Sequence, residues 1–245
     1  MTHPEFDIVV CHGPNDDVVL DYNLKYNKKN IIGYKNFYVI THDKNLSRDD
    51  CIVIWEGIFP FKLSDIKSMI TSTNNRYGWY LQQLLKLYIS LVIPNMSEYY
   101  LTIDCDTMFL KPTHFFTNNN IPIYTLGTEY HTPYFEWMNK LDNNLIKAHQ
   151  YSGISHHMLY SSKIVKEMIS KIETYHNDKF WKIYINLVDK NHYNLSGAAE
   201  NELYFTYIVI YHTNEFITRF LKWKNTNRII VNSDYDFISW HWYLR

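Results

Sequence analysis

The sequence predicts a single α/β domain organised around a mostly parallel central sheet flanked by helices. Three observations carry this. Short continuous apolar runs rich in β-branched residues, at 6–11 and 99–103, read as strands buried on both faces. Stretches with helical apolar spacing lie between such runs, and strand–helix alternation is the pattern of a parallel sheet. The 245-residue chain is 46% hydrophobic, enough for a sizeable core, and no linker, repeat or low-complexity segment divides it.

Taken in order, residues 6–11 form the first strand, which stops at the turn signal His12-Gly13-Pro14. Residues 16–30 predict a helix with Val19, Tyr22 and Tyr26 on one face. The second and third strands are 37–41 and 51–55. A short helix follows at 62–70, capped by Ser64 or the loop before it. The clearest helix is 78–93, where Leu81, Leu84, Leu85, Tyr88 and Val92 recur at the spacing of one buried face and Pro94 ends the run. Residues 99–103 are a fourth strand running straight into Asp104-Cys105-Asp106. The second half reads as more helical, over 134–149, 162–175, 178–189 and 200–211. A late strand at 228–231 precedes an aromatic tail at 237–244.

The 24 basic and 25 acidic side chains nearly cancel and lie scattered, so no net field draws the chain to nucleic acid or an anionic surface. Cys11, Cys51 and Cys105 lack CxxC spacing and cannot all pair, so buried free thiols in a reducing compartment are expected. The opening MTHPEFDIVV has no basic stretch leading into a long apolar run, and no run approaches the roughly 18 apolar residues of a membrane span. A cytoplasmic protein without a transmembrane segment is therefore expected. On that expectation the N-x-S sequons at Asn45, Asn95 and Asn194 are chance matches.

The chemistry centres on LTIDCD. Strand alternation predicts that Asp104 and Asp106 point to one side and Cys105 to the other. Both carboxylates stand at the carboxyl end of a strand, where open α/β sheets bind ligands. Two hard oxygen ligands there suit Mg²⁺ or Mn²⁺ bridging to a diphosphate, whose charge the metal would neutralise as a nucleoside diphosphate leaves. A bare DxD also occurs in surface turns, but this one ends a buried apolar strand and is followed by Met108-Phe109-Leu110 and Pro112.

The run from Arg76 to Leu87, RYGWYLQQLLKL, precedes Tyr99 to Pro112, YYLTIDCDTMFLKP, and SHHMLY at Ser155–Tyr160 and ENELY at Glu200–Tyr204 follow in the same order. Together these segments resemble DUF6492, a family regarded as glycosyltransferases with GT-A features and a DxD motif. The resemblance covers most of the chain. It implies a GT-A fold with a Rossmann-like sheet and hexosyltransferase-like activity. The donor would be a nucleoside-diphosphate sugar, a UDP-sugar first, with Mn²⁺ or Mg²⁺ as cofactor and a glycan or other hydroxyl acceptor. Residues 1–112 would form the nucleotide-sugar and metal-binding half, and 113–245 the acceptor and catalytic half.

Arg76 stands just before the long helix, where its guanidinium and free N–H groups would face phosphate, or where it is an ordinary exposed arginine. Gln82, Gln83 and Lys86 share that helix, and at least one of the glutamines is expected to face the crevice. Gln83 and Lys86 are taken as donor-binding candidates. His156 and His157 follow a loop and, being adjacent, point in different directions, so at most one should meet the metal or the acceptor. Glu200 and Glu202 open a helix where an inverting enzyme needs a general base, although glutamate at a helix start is also favoured by the dipole. Their side chains diverge by roughly 200° around the axis, so they cannot both face the donor; Glu200 is the slight preference. In GT-A enzymes a late histidine often completes the metal shell, which makes His241 the third metal candidate beside Asp104 and Asp106, or else part of an aromatic cluster. His12 and Asp43, after the first and second strands, are candidates to contact the nucleotide by position.

Two other functions are compatible with the same residues: a nucleotide-sugar or carbohydrate-binding GT-A protein without turnover, and another DxD metal enzyme such as a phosphohydrolase or nucleotidyltransferase. A nucleotidyltransferase normally places a Gly-Ser or glycine-rich phosphate loop beside its aspartates, and this chain has only 7 glycines.

Overall fold

The computed structural model describes residues 4–230 and 234–241. The first strand, β1 (Phe6–His12), is buried along its whole length, as a continuous apolar run requires. Helix α1 (Asp17–Asn30) leads to β2 (Ile31–Ile32), and Gly33, at φ 91°, turns the chain into β3 (Tyr34–Thr41). The edge strand β4 (Ile52–Trp55) is followed by α2 (Leu63–Met69) and by α3 (Tyr77–Val92), the long apolar helix. Strand β5 (Tyr99–Asp104) then enters the interior, and its Tyr100, Leu101 and Ile103 have no exposed surface.

Short elements come next: β6 (Thr107–Phe109), β7 (Thr113–His114), β8 (Ile123–Thr125) and α4 (Thr132–Leu141). Strand β9 (His157–Ser161), α5 (Ser162–His176), α6 (Phe180–Asn186) and α7 (Glu200–Tyr211) complete the second half. The chain then forms β10 (Ile217–Arg219), β11 (Trp223–Asn225) and β12 (Phe237–Ser239).

The main sheet among the described residues has the order β4-β3-β1-β5-β9. β1 lies parallel between β3 and β5, β3 pairs parallel with β4, and β9 closes the sheet antiparallel to β5. It is a mixed, mostly parallel sheet flanked by helices, as the strand–helix alternation predicts. Two smaller pairings tie the two halves of the chain together, β12 antiparallel to β6 and β2 parallel to β7; β11 pairs with β12 and β8 with β10 within the second half. None of the described helices is long and apolar enough to cross a membrane. All three cysteines are free; Cys11 and Cys105 are buried and Cys51 is half-buried.

Several expectations need correction. The inward stripe of α1 is not Val19, Tyr22 and Tyr26, since Tyr22 is exposed and Tyr26 half-buried. The stripe is Val19, Leu20, Asn23, Leu24, Asn27 and Asn30, because a polar partner waits beneath the asparagines. Helix α2 is capped from the loop before it, at Lys62, whose N–H the Asp65 carboxylate accepts at 2.7 Å, and not by Ser64. The helix expected over 134–149 ends at Leu141, since Asp142 draws the Asn144 backbone and side-chain N–H groups into a local turn, each at 2.9 Å. The one expected over 178–189 is trimmed to α6. Residues 228–230 form no strand and Val231 lies outside the described residues; the late strands are β11 and β12 instead. Of the aromatic tail, residues 242–244 also lie outside the described residues.

Candidate active site

The carboxyl ends of β1 and β5 lie side by side, with Cys11 opposite Asp104 in the parallel register. β5 stops at Asp104, and residues 105–106 form a turn into β6, so strand alternation does not govern Asp106. Instead the turn is held from outside. Asn23 donates to the carbonyls of Asp104 (3.1 Å) and Thr107 (2.9 Å). Asn27 donates to the Thr107 carbonyl (3.0 Å) and accepts the Phe109 N–H (2.8 Å), and Asn30 donates to the Phe109 carbonyl (2.7 Å). One stripe of α1 thus satisfies the backbone of β6 on the side where, among the described residues, no strand pairs with it. From the other side, β12 pairs with β6, Ser239 donates to Asp106 Oδ1 at 2.9 Å, and the Trp240 N–H donates to the Asp106 carbonyl at 2.8 Å.

Antiparallel pairing of β9 with β5 sets Ile103 against His157, which carries His156 to the Asp104 end. The Asp104 N–H donates to the His156 carbonyl (2.9 Å), and His156 Nδ1 lies 3.1 Å from Asp104 Oδ2. Asp104, Asp106 and His156 each offer a ligand atom, all within 4.8 Å of one another. This is the group that could hold a metal ion. His156 Nδ1 is drawn upward in pKa: burial opposes its charge, but the Asp104 hydrogen bond and the charges of Asp104 and Asp106 favour it.

Pleating sends His157 the other way. It packs among Phe109, Phe115 and Phe237, with Nε2 3.0 Å from Thr125 Oγ1, and burial pushes its pKa down to about 3, helped by Arg219 and His156. Of the adjacent histidines, one faces the aspartates and one is a core residue. His241 lies beside His156, ring centroids 5.6 Å apart, outside the close group of three.

On α3, Lys86 is buried and bridges two carboxylates: its ammonium donates to Asp104 Oδ1 at 2.6 Å and to Glu200 Oε1 at 2.7 Å. Burial opposes its charge, yet Asp104 and Glu200 hold its pKa above the ordinary lysine value. Burial likewise opposes ionisation of Asp104, but Lys86 and His156 together hold its carboxyl well below the usual range. Beside them Cys11 is a thiol, pushed up to about 12 by burial against the pull of Lys86.

The two glutamates of α7 diverge. Glu200 turns to Lys86 and the Asp104 side. Glu202, almost fully buried, accepts the Gly153 N–H and the Thr206 hydroxyl (3.3 Å), with Lys147 at 3.9 Å. Asn201 between them accepts from Tyr160 (2.6 Å) and donates to the Ser155 carbonyl (2.8 Å), fixing the chain just before His156. Gly153 leaves no room for a side chain there: a Cβ would lie 2.3 Å from Phe205 Cβ.

The remaining candidates lie elsewhere. Arg76 donates to the Leu195 carbonyl and to Ser196 Oγ, each at 3.1 Å, and lies over Trp79 at 4.1 Å, so its guanidinium holds the loop that leads into α7. Gln83 is buried and accepts the Tyr184 hydroxyl. His12 is held between Thr41 Oγ1 (3.1 Å) and Asp17 (2.9 Å), and exposed Asp43 accepts the Asn45 N–H (2.8 Å) within its own loop. Sequence reasoning missed Asn23, Asn27, Asn30 and Ser239. The one signal for the asparagines is the spacing of amides, four and then three residues apart, on a face that should be apolar; Ser239 has none.

No curated protein matches the chain in a sequence comparison. The model of a family of unknown function (DUF6492) matches residues 20–240, and the chain belongs to that family.

Proposed function

We propose that this chain is a metal-dependent glycosyltransferase of the GT-A type, which transfers a sugar from a nucleoside-diphosphate sugar, a UDP-sugar first, to a hydroxyl acceptor. The reading rests on one observation: Asp104, Asp106, His156 and Glu200 converge at the carboxyl ends of parallel strands, where open α/β sheets take their ligands. Two carboxylates and an imidazole with ligand atoms within 4.8 Å fit a divalent cation, and the imidazole favours Mn²⁺ over Mg²⁺. Such a cation, when bound, offsets charge on a departing diphosphate.

The chain's own groups supply the rest. Asp104, Asp106 and His156 would be the ligands, with Asn23, Asn27 and Ser239 holding their backbone and side chains in place. Glu200, on the Asp104 side of α7, is the carboxylate that would take the proton of the acceptor hydroxyl. Arg76 would order the approach to Glu200 through the loop at residues 195–196.

The test begins with thermal unfolding of the protein against a panel of nucleotide-sugars with and without Mn²⁺, followed by assay of donor consumption. A UDP-sugar with Mn²⁺ should raise the midpoint, since a ligand at about 100 times its Kd adds about 2.7 kcal/mol. Asp106→Asn keeps an oxygen for Ser239, so it should fold like the parent while losing metal-dependent turnover. Full turnover in that variant would rule out the role given to Asp106.

A further inference from the structure

We propose that Lys86 is a positioning residue that divides one positive charge between Asp104 and Glu200 and so sets how tightly the site takes a divalent cation. The inference rests on the metal site of the preceding reading, but not on sugar transfer. Three observations carry it. The Lys86 ammonium lies 2.6 Å from Asp104 Oδ1 and 2.7 Å from Glu200 Oε1, so both carboxylates compete for it. Its side chain keeps only 5% of its surface exposed and that of Glu200 8%, so water screens neither contact well, whereas Asp104 keeps 27% and can meet a ligand. The other oxygen of Asp104 is the one turned to His156, so Lys86 and the metal-binding face take opposite edges of one carboxylate.

The charge arithmetic follows from these contacts. With His156 neutral, the three carboxylates of Asp104, Asp106 and Glu200 and the one ammonium leave the site two negative charges. A divalent cation approaching Asp104 is repelled by Lys86, and Glu200 lessens that repulsion by drawing the ammonium toward α7. Removing the ammonium leaves three negative charges for the cation. Removing the Glu200 charge leaves Lys86 with Asp104 as its single carboxylate partner, which sets it more firmly against the cation. The lysine is therefore a built-in counter-ion, and Glu200 its second anchor.

The experiment titrates Mn²⁺, followed by the resonance signal of the free ion, into the wild-type protein and into Lys86→Met, Glu200→Gln, the double variant and Lys86→Arg. Lys86→Met should bind at least about tenfold more tightly than wild type and Glu200→Gln at least about threefold more weakly, since close charges in a poorly screened site are strongly coupled. The double variant should return near the wild-type affinity, and Lys86→Arg, which keeps the charge, should stay close to it. Without metal, Lys86→Met should unfold at a lower temperature and regain more on addition of Mn²⁺ than wild type does, because the buried Glu200 and the half-buried Asp104 have lost the ammonium they share. If Lys86→Met does not fold, the comparison of Glu200→Gln with wild type decides: weaker binding supports the proposal and equal binding overturns it. Equal affinities throughout would overturn the role of Lys86 while leaving the metal site standing. A flat titration in every protein would remove the metal site itself, and the proposal with it.

Discussion

Replacing Glu202 by glutamine should make the protein more stable at pH 8 while changing little at pH 5. Glu202 has about 1% of its surface exposed, and its carboxyl pKa is raised from 4.5 to about 7 by burial, against the Gly153 N–H, the charge of Lys147 and the Thr206 hydroxyl. A carboxyl whose folded value lies above its unfolded value makes the folded state the better proton binder. Its favourable contribution is complete below about 4.5 and is lost as pH rises through about 7, so the wild type weakens across that window. The rise from 4.5 to about 7 corresponds to about 3 kcal/mol at 1.36 kcal/mol per pH unit. Glutamine keeps an oxygen for the Gly153 N–H and never ionises. Urea unfolding of both proteins at pH 5, 6, 7 and 8 should therefore show the variant gaining on the wild type by up to about 3 kcal/mol. The same difference at every pH would refute the reasoning. A difference growing in favour of the wild type would show instead that the Lys147 contact outweighs burial.

Two further outcomes follow from the site. Asn27→Ala strands the buried Phe109 N–H, while Asn23 keeps its bond to the Thr107 carbonyl, so it should cost about 1–3 kcal/mol in chemical unfolding, the cost of one unsatisfied group; a loss below about 1 kcal/mol would mean water or a shifted helix replaces the amide. Glu200→Gln should lower turnover by about 10²- to 10⁴-fold while donor binding, measured separately, is largely kept; a loss of only a few-fold would place the base elsewhere or point to a retaining reaction.

Sequence alone determined the elements whose signal is local. Continuous apolar runs announced β1 and β5, because burial on both sides dictates residue type position by position, and periodicity announced α3, although Gln83, Lys86, Leu87 and Ile89 are buried beyond the single face it indicated. Helix α7 spans the 200–211 read from sequence. The placement of a DxD at a strand's carboxyl end was equally visible. Tertiary structure decided whatever depends on which distant segments meet. Antiparallel rather than parallel pairing of β9 is what delivers His156 to Asp104 and sends His157 into the core, and nothing in SHHM encodes that register. The divergence of Glu200 and Glu202 is a property of helix geometry, but which of them faces Lys86 depended on the docking of α7 against α3. The asparagines of α1 carry no local sign of their role, because an amide looks solvent-facing until the carbonyls it satisfies are brought beneath it. Those carbonyls belong to residues about 80 positions away, at the turn that carries the two aspartates. Local composition can specify a helix or a strand; only long-range packing can tell a buried amide what it is for.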